Sequence, residues 1–109
     1  RGRLIGARDP LRLDMRRVME AAREEGAAME VNAWPERLDL NDADVLLARE
    51  IGVPLVINTD AHAPEHFALI FYGIATARRG WAEPEDVLNT LPLRALLPRL
   101  RRHQWRKAA

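Results

Sequence analysis

The residues best suited to chemistry lie in one short run, Asn58-Thr59-Asp60-Ala61-His62. Asp60 and His62 are two positions apart, so an extended backbone would point both side chains the same way. A carboxylate oxygen and an imidazole nitrogen converging on one point make a mixed ligand pair for Zn, Mn or Fe. The plainer reading is that Asp60 caps a following helix and His62 packs or faces solvent. His66 follows His62 by four residues, the spacing of one helix face. Pro64 interrupts that helix and no Glu directly follows His62, so the zinc-protease pattern is absent and His66 is expected on a helix surface or in a loop.

Further candidates lie on an earlier segment. Glu30 and Asn32 end a short apolar stretch, and strand alternation puts both on one face. They could support a second metal or orient a phosphate, or form an ordinary hydrogen-bonding pair that anchors the loop. Arg37 could clamp a phosphate, or pair with Glu36 or Asp39 at the surface. Other chemistries are excluded. The chain has no Ser and no Cys, so covalent acyl chemistry is not expected. Gly2 and Gly6 fit neither a P-loop nor a dinucleotide fingerprint.

The elements that must position these groups alternate helix and strand. Met15, Val18, Met19 and Ala22 repeat at helical spacing, with Asp14 as N-cap and Gly26 beyond the C-terminus. A short strand follows over 28–32. Asn41 can cap a helix over 42–51, with Asp42 and Asp44 in its first turn, and Gly52 ends it. Pro54-Leu55-Val56-Ile57-Asn58 is a continuous apolar run, the pattern of a parallel strand covered on both faces. The expected class is therefore α/β with βα repeats. One or two helices are expected over 64–79 and another over 84–90, opened by Pro84. The stripe Leu93, Leu96, Leu97 and Leu100 should be kinked or split by Pro98.

Composition sets the outer limits. The 109 residues are 48% hydrophobic and 30% charged, as in a folded domain. Zero cysteines fit a reducing compartment, and a cytoplasmic location is expected. No apolar run reaches the length of a membrane span, so no membrane partner is expected. The formal charge of +1 hides an asymmetry. Residues 1–86 carry 11 basic and 16 acidic side chains, net −5, whereas residues 87–109 carry 6 basic and no acidic ones, net +6. The Arg-rich tail, with Trp105, could hold nucleic acid through phosphate contacts and stacking, or be a solvated helix end.

Several stretches together resemble a known family. They are Gly2-Arg3-Leu4-Ile5-Gly6, Glu30-Val31-Asn32-Ala33, residues 37–41 (RLDLN), residues 58–62 (NTDAH), Tyr72-Gly73, residues 77–81 (ARRGW) and residues 86–91 (DVLNTL). Over about residues 1–100 the chain resembles the C-terminal part of the PHP (polymerase and histidinol phosphatase) domain of bacterial family X DNA polymerases. The resemblance implies the C-terminal portion of a distorted (β/α)7 PHP barrel, with residues 1–100 as a partial domain and 101–109 as a basic tail. It implies a divalent metal cluster, Mn or Zn, at the strand ends, with Asp60 and His62 as metal ligands. It also implies phosphoester hydrolysis by a 3′–5′ exonuclease acting on DNA 3′ ends in repair. Asn32 and Arg37 are the candidate substrate-binding residues.

A His ligand of the family normally precedes the segment matching Gly2–Gly6. A chain that opens on Arg1 is therefore expected to work with upstream barrel strands and polymerase domains of one parent polypeptide, and to be inactive alone. The alternatives are a stand-alone PHP-type phosphatase of a small phosphate monoester, or a non-catalytic scaffold contacting polymerase or DNA.

Overall fold

A computed structural model describes residues 1–100; the expectations for the basic tail, Trp105 included, lie outside the described residues. Helix α1 (Met15–Glu24) begins where the Asp14 carboxylate accepts the Arg17 N–H at 3.2 Å. It buries Met15, Met19 and Ala22, the stripe read from the sequence. Gly26, with φ +68°, ends it, since a left-handed residue there costs no Cβ clash.

Strand β1 (Met29–Asn32) leads into helix α2 (Asp42–Ile51), capped by Asn41, whose Oδ1 accepts the Asp44 N–H at 2.9 Å. Gly52, left-handed at φ +92°, closes α2 and returns the chain to strand β2 (Leu55–Asn58). The strands pair in parallel, Met29 opposite Leu55 through Asn32 opposite Asn58, so both C-terminal ends lie side by side. The core is built from Met19, Val31, Val45, Leu55 and their neighbours. The architecture is a small α/β unit with four α-helices and a two-stranded parallel sheet among the described residues. No helix among them is long and apolar enough to cross a membrane.

A 3-10 helix (Pro64–Leu69) precedes helix α3 (Ile70–Arg79). Helix α3 packs directly on both strands through Gly73. A Cβ there would sit 2.5 Å from Ile57 Cγ2 and 2.8 Å from Ala33 Cβ, so only glycine allows the approach.

Residues 84–90 differ from the sequence expectation. They form two 3-10 turns, Pro84–Asp86 and Leu88–Thr90, separated by an extended Val87 with φ −116° and ψ 119°. The cause is the outer edge of β2, whose backbone groups need partners. Val87 bridges Leu55 in parallel. Two residues further on, the Asn89 side chain donates to Ile57 O and accepts Ile57 N–H, both at 2.8 Å. Residues 87–89 thus act as a stub of a third strand, completed by an amide side chain. The outer edge of β1 is met by its own following loop, through Asn32 with Asp39 and Leu40 N–H with Glu30 O.

The leucine stripe splits as Pro98 requires. Helix α4 covers only Leu93–Leu96, and a 3-10 turn follows over Leu97–Arg99. Leu93, Leu97 and Leu100 remain exposed.

Candidate metal and phosphate site at the strand ends

The parallel pairing places Asn32 and Asn58 opposite each other, and the chain leaves both strands on the same side of the molecule. After β2, Thr59 is buried and Asp60 turns left-handed at φ +58°. The Asp60–His62 pair is therefore not extended, as the spacing argument assumed. Its two members are related instead by a local hydrogen bond. His62 Nδ1 lies 2.6 Å from the Asp60 backbone oxygen. A carbonyl can only accept, so Nδ1 carries the proton and Nε2 of the neutral ring keeps its lone pair. The Asp60 carboxylate accepts from Asn32 Nδ2 at 3.3 Å. It does not cap the following 3-10 helix, whose N-cap is Ala63. Both Asp60 and His62 are exposed.

His66 takes the opposite role. Its Nδ1 accepts the His62 backbone N–H at 3.0 Å, so that nitrogen is unprotonated and the proton of the neutral ring sits on Nε2. The Trp34 ring meets His66 edge-on at 4.9 Å between centroids, and His62 at 6.4 Å. Trp34 is the site residue that sequence reasoning missed. Its signal was its place, two residues past the end of β1.

Asn32 is buried, and its amide faces two ways. Oδ1 accepts the Trp34 N–H at 2.9 Å, while Nδ2 reaches Asp60. Glu30 is exposed and pairs across the sheet, Oε1 accepting from Asn58 Nδ2 at 3.0 Å. Arg37 forms an ion pair with neither Glu36 nor Asp39. Among the described residues its guanidinium has one long contact, to Arg3 O at 3.5 Å. The Arg3 guanidinium in turn donates to the carbonyls of Arg37 and Leu38 and fixes that loop.

A polar cavity of about 340 Å³ brings Asn32, Arg37 and Asp60 together with Glu30 and Asp39. His62 does not line it. Arg1 does line it, but its guanidinium is committed to Asp44 and the Leu11 carbonyl, so Arg37 is the cation left to face a phosphate held beside a metal. The donor chemistry of Asp60 and His62 suits Mn or Zn. The donor number falls short: among the described residues no group of three or more His, Asp or Glu side chains is placed to hold a metal ion. The residues present do not by themselves complete a metal centre.

The chain is 43% identical over 102 residues to the DNA polymerase/3′-5′ exonuclease PolX of Bacillus subtilis (strain 168). Over that span the chain is related to this PolX. The match covers 94% of the chain but only 18% of that PolX, so the chain spans under a fifth of the relative's length. No family model matches the chain. The relationship to PolX bears out the resemblance read from the sequence.

Proposed function

We propose that this segment supplies Asp60 and His62 to the metal centre of a 3′–5′ exonuclease acting on DNA 3′ ends in repair. The observation that carries the reading is the His62 hydrogen bond. With Nδ1 committed to the Asp60 carbonyl, Nε2 and the Asp60 carboxylate are the groups left for a cation. The donors still missing would come from polypeptide beyond this segment, in which β1 and β2 would be the last strands of a distorted (β/α)7 barrel. Residues 1–100 would form that partial PHP domain and 101–109 a basic extension toward DNA.

A bound Mn or Zn would hold phosphate oxygens and lower the pKa of a water. Arg37 would hold the phosphate of the terminal nucleotide, because its guanidinium faces the same hollow as Asp60 with no carboxylate partner among the described residues. By itself the chain would not hydrolyse DNA, since two donors do not hold a catalytic cluster.

The test is a Mn²⁺-dependent assay on the full-length protein carrying this segment, with 3′-recessed DNA and histidinol phosphate as competing substrates. DNA trimming that is lost in Asp60→Ala and His62→Ala supports the reading. Preference for the small monoester favours a phosphatase. Full activity in Asp60→Ala overturns the site.

A further inference from the structure

We propose that His66 and Trp34 are positioning residues that, with Asn32, hold the Asp60–His62 pair in its cation-ready arrangement. The inference rests on the metal reading above and extends it to residues outside the donor pair. Five residues form a closed circuit across the two strand ends. Asn32 joins Asp60 through Nδ2 and Trp34 through Oδ1. The Trp34 ring stands edge-on against His66. His66 Nδ1 receives the His62 N–H, and His62 Nδ1 returns to the Asp60 carbonyl.

Each link removes a freedom that a donor pair cannot keep. Asp60 is a non-glycine residue at φ +58°, a conformation held only where the surroundings impose it. The Asn32 amide restrains its carboxylate, and the His62 ring bonds its carbonyl. The His62 backbone is in turn tied to His66 Nδ1, four residues on. Pro64 opens the 3-10 helix that carries His66, and its fixed φ limits the ways His66 can approach. Trp34 then blocks His66 from swinging away. The two histidines consequently hold opposite tautomers, with protons on Nδ1 of His62 and Nε2 of His66. Only His62 presents a lone pair outside the circuit. This division explains why two histidines four apart do not act as two equivalent ligands.

The circuit predicts a specific pattern of rescue. An asparagine at 66 places an acceptor oxygen near the position of Nδ1, whereas leucine keeps bulk and removes the acceptor. In the full-length protein that carries this segment, labelled with ¹⁵N in histidine and aspartate, long-range proton–nitrogen spectra read both tautomers, and hydrogen exchange reads the His62 amide. Wild type should show Nδ1–H for His62 and Nε2–H for His66. His66→Leu should lower His62 amide protection about tenfold, the size expected for one lost hydrogen bond, and mix the His62 tautomers. His66→Asn should restore both. Trp34→Leu should shift them in the same direction by less.

Mn²⁺ added to the same samples should broaden Asp60 and His62 signals at a several-fold higher concentration in His66→Leu than in wild type or His66→Asn. Unchanged protection and tautomer in His66→Leu would overturn the proposal. So would a folded His66→Asn that behaves like His66→Leu. If Mn²⁺ fails to broaden Asp60 and His62 in wild type, the metal reading falls, and the tautomer and exchange comparison still decides the positioning role.

Discussion

The ends of β1 and β2 lie side by side yet are held in different ways. The segment after β1 is secured mainly by backbone: Asn32 pairs with Asp39, Leu40 donates to Glu30, and Arg3 grips the carbonyls of Arg37 and Leu38. The segment after β2 is secured by side chains, with His62 on the Asp60 carbonyl and His66 on the His62 N–H. Backbone pairing leaves the β1 end free to offer supports, Asn32 and Trp34, and one cation, Arg37. Side-chain tethering leaves the β2 end with one oxygen and one nitrogen donor pointing outward. The difference teaches that, in our reading, one strand end supports and the other binds.

Substitutions can break this contrast in graded ways. Leu55 is fully buried at the start of β2, in the core both strands share, and Leu55→Ala should cost about 2–5 kcal/mol in denaturant unfolding. That loss should disturb the two ends equally. Gly73→Ala should cost about 1–3 kcal/mol, because the added methyl meets Ile57 and Ala33, one neighbour from each strand segment. A folded Gly73→Ala should also show shifted amide signals at both ends.

Asn89→Ala removes two hydrogen bonds to Ile57 and should cost about 1–2 kcal/mol. It should lower exchange protection in β2 while leaving Asn32 and Asp39 protected, which separates the two ends. Arg37→Ala should change stability by less than about 1 kcal/mol, because the half-buried guanidinium makes only the long contact to Arg3 O. It should weaken binding of DNA 3′ ends by the full-length protein and flatten the salt dependence of that binding. An Arg37→Ala protein with an unaltered salt slope would remove Arg37 from the phosphate site.

Much of the scaffold could be read from local signals. Asp14, Asn41 and Gly52 announced the helix ends because capping acts within one turn. The apolar run 54–58 announced β2 because a doubly covered strand excludes polar residues. Residues 84–90 were misread because Val87 answers to Leu55, more than thirty residues away, and a distant strand edge leaves no local trace. The site divided similarly. The Asp-x-His pair was visible as residue types. Its left-handed turn was not, because it comes with contacts to Asn32, across the sheet, and to the His62 ring. Asn32 and Arg37 were named for their positions at a strand end, and they do meet Asp60 at one hollow. Trp34 escaped because its role is a ring contact with His66, which depends on how the two strand ends are packed.

The central claim is that Asp60 is a metal donor while its neighbours across the sheet support it. The most direct check is the stoichiometry of bound Mn²⁺ in the full-length protein that carries this segment, read by electron paramagnetic resonance. Wild type and Arg37→Ala should bind the same number of ions. Asp60→Ala should bind at least one fewer. Equal Mn²⁺ binding by Asp60→Ala and wild type would contradict the account.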